Sequence, residues 1–160
     1  MLDTHQAATA ATARKFLSFR LGAEEYGIDI LGVQEIRGYT VPTHIANAPS
    51  EMLGVLNLRG TIVPVTDMRL KLGLSSPRYD DITVTIVLTL ADRVTAIVVD
   101  SVSDVVELGP AQIRPAPAVA QRTQATHIVG IGTVQQGGSE RMLILLDMQA
   151  MLGAAEPALA

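Results

Sequence analysis

The sequence repeats one pattern of short strands, and this repeat limits the possible folds more than any other feature. Residues 26–36 align without a gap on residues 95–105. Residues 62–73 align on residues 142–153, and both segments end in Asp-Met, three residues, then Leu-Gly. Because a lobe of about 60 residues is only marginally stable alone, the repeat predicts two similar β-barrels packed together, with a groove between them.

Short apolar runs alternate with polar residues and are separated by turn residues, which predicts β-hairpins and an all-β fold. FLSFRL at 16–21, for example, aligns on TIVLTL at 85–90, and each run leads through a polar turn into another strand. The two Asp-Met sites predict short helical turns. The expected organisation is a flexible tail at 1–15, one domain at 16–153 with lobes at roughly 16–80 and 81–153 that are possibly intertwined, and a tail at 154–160.

The composition argues against several classes of function. The 160 residues carry a formal net charge of −4 and show no basic stripe, whereas a nucleic-acid binder needs a basic surface. The longest apolar run, 82–91, is about half of the ~20 residues that a membrane-spanning helix requires. The first residues also lack the apolar core of a secretory signal. We therefore expect a cytoplasmic protein that binds no nucleic acid and does not insert into a membrane.

The sequence offers no set of residues suited to catalysis or to metal binding. His5, His44 and His127 are far apart, and none has a neighbouring carboxylate that would orient it. The paired acids Asp80 and Asp81 point to opposite sides of an extended chain. The glycines lack the strand-to-helix context of a phosphate-binding loop, and the chain contains no cysteine. We therefore expect no enzymatic activity, no metal and no cofactor.

Two charged residues stand out because they interrupt apolar runs. Glu35 lies within VQEIRG and Arg59 within NLRG. One interpretation is that Arg59 is a turn residue whose charged end is solvated while its stem covers the core. The other is that Glu35 orients Arg59 and that the pair borders a docking surface, because arginine is over-represented among the residues that dominate interfaces. Ile30 and Val33 are equally open to two interpretations, as plain core or as part of that surface.

The sequence resembles the CheW family of bacterial chemotaxis coupling proteins, of the type found in enteric bacteria. The blocks that carry the resemblance span 16–152 in the family's order and read EEYGIDILGVQEIRGY, NLRGTIVPVTDMR, IVVDSVSDV, QIRPAP and RMLILLDM. The resemblance implies two packed SH3-like, five-stranded β-barrels and a non-enzymatic adaptor. Such an adaptor would bind the cytoplasmic tips of chemoreceptors and the regulatory domain of the histidine kinase CheA, in a possible ring or array.

The resemblance ties Val33, Glu35 and Arg59 to the coupling of receptor and kinase. With their neighbours they form the expected partner-binding set: Ile30, Val33, Glu35, Ile36, Val55, Asn57, Leu58 and Arg59. The chain departs from the family at Ala96 and Ser101, where relatives often have glycine. Two rival functions stay open at this point, a CheW-like scaffold of a non-chemotactic signalling system and a small-molecule-binding β-barrel.

Overall fold

The computed structural model describes residues 13–74, 78–116 and 127–152, so most of the predicted tails at 1–15 and 154–160 lie outside the described residues. The described residues form eleven strands and four short helical segments. The strands are β1 (Arg14–Leu21), β2 (Glu24–Asp29), β3 (Val33–Gly38), β4 (Met52–Leu58), β5 (Thr61–Asp67), β6 (Val84–Leu90), β7 (Arg93–Val99), β8 (Ser101–Leu108), β9 (Ile113–Arg114), β10 (Ile128–Gln136) and β11 (Ser139–Leu146). The helical segments are two 3-10 turns, Ile30–Gly32 and Pro110–Gln112, and two α-helices, α1 (Met68–Lys71) and α2 (Met148–Leu152).

The four hairpins that the alternating pattern predicts are present. β1 pairs with β2, β4 with β5, β6 with β7 and β10 with β11, all antiparallel. Both predicted helical turns follow a strand that ends at or next to an aspartate. Asp67 caps α1 by accepting hydrogen bonds from the backbone N–H groups of Arg69 and Leu70, and the side chain of Asp147 accepts one from Ala150 in α2. Such caps satisfy N–H groups that have no partner within the helix.

The strands form two sheets that share one topology. The first sheet has the order β8-β1-β2-β11-β10-β9, and the second has the order β3-β6-β7-β5-β4. The repeat in the sequence aligns β1, β2, β8 and β11 with β6, β7, β3 and β5, and β10 occupies the place of β4. The two orders are therefore the same, apart from the two-residue strand β9. This agreement supports the duplication and confirms the all-β class.

Each half of the chain contributes strands to both sheets, which is the intertwined arrangement. β1 and β2 pair with β8 and β11 from the second half, while β6 and β7 pair with β3 and β5 from the first half. The boundary expected near residues 80 and 81 therefore does not separate the sheets. The physical reason is that β3 and β8 each cross over after their hairpin and complete the other sheet.

Buried side chains form three clusters, one within each sheet and one between the sheets. The second sheet encloses a cluster that includes Leu58, Val63 and Val98, and the first encloses Phe16 and Leu143 with their neighbours. The largest cluster joins both sheets and both α-helices. Its members include Phe19, Leu21 and Ile28 from the first sheet, Ile86, Leu88 and Ile97 from the second, and Met68, Met148 and Leu152 from the helices. The sheets therefore share their main core, so neither buries its apolar surface alone.

Candidate partner-binding site

Arg59 lies at the tip of the hairpin formed by β4 and β5. Its φ is 53° and that of Gly60 is 91°, so both central residues of the turn have positive φ. Two-residue hairpin turns of this kind match the right-handed twist of the strands that they join. The side-chain oxygen of Asn57 accepts a hydrogen bond of 2.8 Å from the backbone N–H of Gly60. Asn57 therefore fixes the turn that presents Arg59, whose side chain is 66% exposed.

Arg59 forms an ion pair with Glu35, which is the contact that the second interpretation of the sequence requires. Nη2 of Arg59 lies 2.5 Å from Oε1 of Glu35, and Nη1 of Arg37 lies 3.5 Å from the other carboxylate oxygen. Glu35 belongs to β3 and Arg59 follows β4, and these are the two edge strands of the second sheet. The ion pair therefore bridges the edges of a curled sheet. We refer to this surface, around Glu35 and Arg59, as the ion-pair edge.

The electrostatics of the ion-pair edge keep Glu35 charged. The hydrogen bond from Arg59 holds the pKa of Glu35 below its usual range, and the positive charges of Arg59 and Arg37 act in the same direction. Because the pair is accessible to water, it contributes little to stability, as exposed ion pairs usually do. If Arg59 left Glu35 to bind another group, the fold would therefore lose little stability.

The far end of β3 is anchored by two stacked tyrosines. Tyr39, directly after β3, stacks on Tyr79 with ring centroids 4.6 Å apart. The hydroxyl of Tyr79 donates a 2.5 Å hydrogen bond to the buried carboxylate of Asp67, and burial raises the pKa of Tyr79. Asp67 also caps α1. These contacts tie the strand that carries Glu35 to the body of the second sheet.

The remaining predicted residues differ in how accessible they are. Ile30 and Val33 are partly buried against the shared core, whereas Ile36 is 46% exposed. Val55 is half-buried, and its backbone pairs with that of Thr43. Leu58 is only 7% exposed, because its side chain packs in the core of the second sheet. Its contact with a partner stays a prediction.

A groove lies where the two sheets meet, next to the 3-10 turn that carries Ile30. Its volume is about 260 Å³, and its apolar lining comes from both sheets and α2. The apolar lining residues are Ile28, Leu88, Leu90, Val129, Leu146 and Met148. At its rim Arg14 and Asp29 form an ion pair of 2.9 Å. We call this feature the apolar groove.

Sequence reasoning missed two exposed apolar residues at the groove. Leu31 is the middle residue of the 3-10 turn and is 90% exposed, and the next residue, Gly32, lines the groove. Val129 belongs to the lining and is 49% exposed. A leucine on a one-turn helix has no strand alternation that would reveal its orientation. Leu31 and Val129 therefore add exposed apolar surface next to and within the lining of the groove.

Arg141 forms a second charged cluster, which lies in the first sheet and which the sequence analysis did not identify. Its guanidinium donates hydrogen bonds of 2.9 and 2.5 Å to Glu25, 2.6 Å to Asp104 and 3.0 Å to the hydroxyl of Ser18. The hydrogen bonds from Arg141 hold the pKa values of Glu25 and Asp104 below their usual ranges. The side chain of Arg141 is 17% exposed and that of Glu25 is 9% exposed.

The two charged clusters occupy related places in the repeat. Asp104 aligns with Glu35, and both lie on the strand that crosses over to complete the other sheet. Each pairs with an arginine from the last hairpin of its sheet, Arg141 on β11 and Arg59 before β5. The two arginines differ in exposure: the side chain of Arg141 is 17% exposed, whereas that of Arg59 is 66% exposed. Arg59 is therefore the arginine that is more accessible to a partner.

Two further expectations concern the positions where relatives often have glycine and the possibility of a metal site. Ala96 is fully buried in the core of the second sheet, where its methyl group packs, and Ser101 begins β8 in an ordinary extended strand.

Within residues 13–74, 78–116 and 127–152, no three His, Cys, Asp or Glu side chains are grouped to hold a metal ion. In the same ranges, no helix is long and apolar enough to span a membrane.

The comparisons with known proteins agree on one family. The model of the CheW-like domain matches residues 15–156. The chain is 51% identical over 146 residues to a chemotaxis protein CheW of Klebsiella aerogenes, covering 91% of this chain and 86% of that protein. It is 32% identical over 143 residues to a chemotaxis protein CheW of Rhizobium meliloti, covering 89% of this chain and 90% of that protein.

A solved structure supports the same assignment. The crystal structure of the scaffolding protein TtCheW from Thermoanaerobacter tengcongensis matches with a TM-score of 0.73 and 27% sequence identity, covering 83% of this chain and 88% of that one. The sequence blocks quoted above and the intertwined two-sheet fold therefore lead to the same family, and the similarity to the enteric type is confirmed.

Proposed function

The chain belongs to the CheW-like family and is a coupling adaptor of chemotaxis, and from this we propose that it joins the cytoplasmic tips of chemoreceptors to the regulatory domain of the histidine kinase CheA. An adaptor of this kind acts without catalysing a reaction. It works in the cytoplasm, and receptors anchored in the membrane recruit it there.

The observation that supports the proposal is that two sheets with one shared core present two different exposed surfaces. The ion-pair edge offers an accessible arginine that Glu35 holds in place. The apolar groove offers a concave surface with Leu31 exposed beside it. A protein that couples two partners needs two surfaces, and the shared core keeps these two at a fixed distance.

The shape of the apolar groove favours a helical partner. A groove of this kind accepts the apolar face of an amphipathic helix, with anchors spaced along one side of it. We therefore assign it to the helical tip of a receptor. Ile30 and Val33 flank Leu31 and Gly32 in the sequence, and both pack on the shared core.

The ion-pair edge suits a partner with a complementary acidic or polar patch. Arginine presents a planar set of donors and can bind a carboxylate through two hydrogen bonds. Ile36, which is 46% exposed on the same strand as Glu35, adds apolar contact. Contacts between unlike surfaces of similar lobes extend into rings or arrays, which fits an adaptor that assembles with a kinase of related fold.

A sedimentation assay tests the proposal directly. Membrane vesicles that contain a chemoreceptor are mixed with CheA, with and without this protein, and the kinase that sediments is measured. We expect the protein to increase the amount of sedimented kinase and to sediment with it. Kinase recovery that does not change when the protein is added would contradict the coupling function.

The rival small-molecule-binding barrel requires an internal cavity with convergent polar groups. The interior of the second sheet is instead filled by Leu58, Val63, Val65, Val87, Ala96 and Val98. The interior of the first sheet is filled in the same way by Phe16 and its neighbours. In line with an adaptor, we also expect that the purified protein neither binds nor hydrolyses MgATP, which calorimetric titration would check.

A further inference from the structure

The sequence repeat relates the apolar groove to a second cleft with opposite chemistry. This second cleft has a volume of about 470 Å³ and is lined in part by Arg20, Arg69, Arg78, Asp80 and Asp100. We call it the arginine cleft. Three of its lining residues align with lining residues of the apolar groove: Thr83 with Arg14, Ser101 with Gly32, and Arg69 with Gln149.

The two clefts lie at opposite ends of the junction between the sheets. Arg14, at the start of β1, lines the apolar groove, whereas Arg20, near the end of the same strand, lines the arginine cleft. Likewise Leu88 and Leu90 near the end of β6 face the groove, whereas Thr83, just before β6, faces the cleft. Since β1 and β6 belong to different sheets, the duplication has produced one equivalent cleft at each end of the junction.

The acidic residues of the arginine cleft are already engaged by their surroundings. Asp100 accepts hydrogen bonds of 2.7 Å from Arg69 and 2.7 Å from the backbone N–H of Gly22. Asp80 accepts hydrogen bonds from the backbone of Ile82 and from the hydroxyl of Thr83 within its own loop. In each aspartate these hydrogen bonds hold one carboxylate oxygen: Oδ2 of Asp100 and Oδ1 of Asp80.

Arg20 and Arg78 remain as exposed cations in the cleft. In the part of the chain that the structure describes, neither has a carboxylate within 4.0 Å of its guanidinium. Glu25 lies opposite Arg20 on β2, but Arg141 binds its carboxylate. With three arginines and two aspartates in its lining, the cleft carries a net positive charge in a chain whose net charge is −4.

We propose that the arginine cleft binds an acidic peptide segment of a partner protein, at a site separate from the apolar groove and the ion-pair edge. Arg20 and Arg78 pair with carboxylates of the segment, while Arg69 stays bound to Asp100. At about 470 Å³ the cleft lies in the range that accommodates drug-sized ligands, so it has room for more than a single small anion. Ile82, which is 64% exposed at the cleft, provides contact for an apolar residue of the segment. The duplication thus supplies two docking sites with different chemistry.

Fluorescence anisotropy tests this proposal with a labelled peptide in which glutamate alternates with leucine. A matched peptide carries glutamine in place of glutamate. We expect the glutamate peptide to bind the wild-type protein, to bind more weakly as salt concentration rises, and to bind at least about tenfold more tightly than the glutamine peptide. The double variant Arg20→Ala/Arg78→Ala should lose at least about tenfold in affinity, which corresponds to about 1.4 kcal/mol.

Two control variants separate this site from the rest of the surface. Arg114→Ala removes an exposed arginine on β9 outside the cleft and should bind the peptide as the wild type does. Leu31→Glu alters the turn beside the apolar groove and should also leave peptide binding unchanged. The peptide assay contains no receptor, so its result does not depend on whether the apolar groove binds a receptor tip. Melting temperatures of all variants confirm that each is folded.

Three results would overturn the proposal. Equal peptide affinity for the wild type and the double variant would show that the cleft does not bind the segment. Loss of binding in Leu31→Glu would place the peptide in the apolar groove. Displacement of the peptide by an equal concentration of inorganic phosphate would show a site for small anions instead.

Discussion

Replacing Arg141 with alanine should destabilise the protein severely, although this residue lies outside every expected contact surface. The substitution removes hydrogen bonds to Glu25, Asp104 and Ser18 and leaves Glu25, whose side chain is 9% exposed, without its ion-pair partner. Breaking a buried ion pair by removing one partner typically costs about 3–5 kcal/mol. Because Asp104 is 46% exposed and regains water, we place the loss near the lower bound, at about 3 kcal/mol.

Urea unfolding followed by circular dichroism measures this loss, provided that unfolding is two-state. For a chain of this length, about 3 kcal/mol corresponds to a melting temperature lower by roughly 6–12 °C. Arg114→Ala, an exposed arginine, is the control and should change the unfolding free energy by less than about 0.5 kcal/mol. If the cost comes from the stranded charge, adding Glu25→Gln to Arg141→Ala should restore part of the stability. A loss below about 1 kcal/mol in Arg141→Ala would refute this reasoning.

First, Glu25 and Asp104 have lowered pKa values in the folded protein. Their contribution to stability is therefore present above their ordinary pKa values and is lost as pH falls through the lowered ones. Acidification below about pH 5 should lower the unfolding free energy of the wild type more steeply than that of Arg141→Ala. Second, Gly54→Ala should cost about 3 kcal/mol in urea unfolding, because its φ is 146° and an added Cβ would lie 2.0 Å from the carbonyl oxygen of Thr43. Third, Leu31→Glu should weaken binding to a receptor tip at least about tenfold in a titration. The melting temperature should stay nearly unchanged, because Leu31 is 90% exposed. Unchanged receptor affinity would remove the apolar groove from the proposal.

The hairpins could be predicted from the sequence because their determinants are local. Each hairpin shows alternating apolar residues on both sides of a short turn. In the first two hairpins, the turns contain Gly22 and Gly60, which have positive φ. The intertwining could not be predicted in the same way. Whether β3 joins the first or the second sheet depends on its pairing with β6, which is distant in the sequence and is decided by the shared core.

The candidate site shows the same difference between local and distant determinants. The pairing of Glu35 with Arg59 is one of two interpretations of the sequence, because each residue is a charge within an apolar run. Arg141 could not be paired in this way, because an arginine at the start of a strand after a polar turn looks like an ordinary exposed residue. Its two carboxylate partners come from β2 and β8, which only the folded first sheet brings together. The burial of Leu58 likewise depends on which face of β4 turns inward.

The central claim is that Arg59 at the ion-pair edge anchors a partner. Titrations of wild type, Arg59→Ala and Glu35→Ala with a receptor tip and with the CheA regulatory domain, at matched salt, test it most directly, with Arg114→Ala as the control for lost charge. We expect Arg59→Ala to keep a nearly unchanged melting temperature yet lose about 2 kcal/mol of affinity for at least one partner, roughly 30-fold. Glu35→Ala should weaken the same contact, and the double variant should lose less than the two single losses added together. Equal binding of both partners by the wild type and Arg59→Ala would contradict the claim and leave Arg59 as a solvated turn residue.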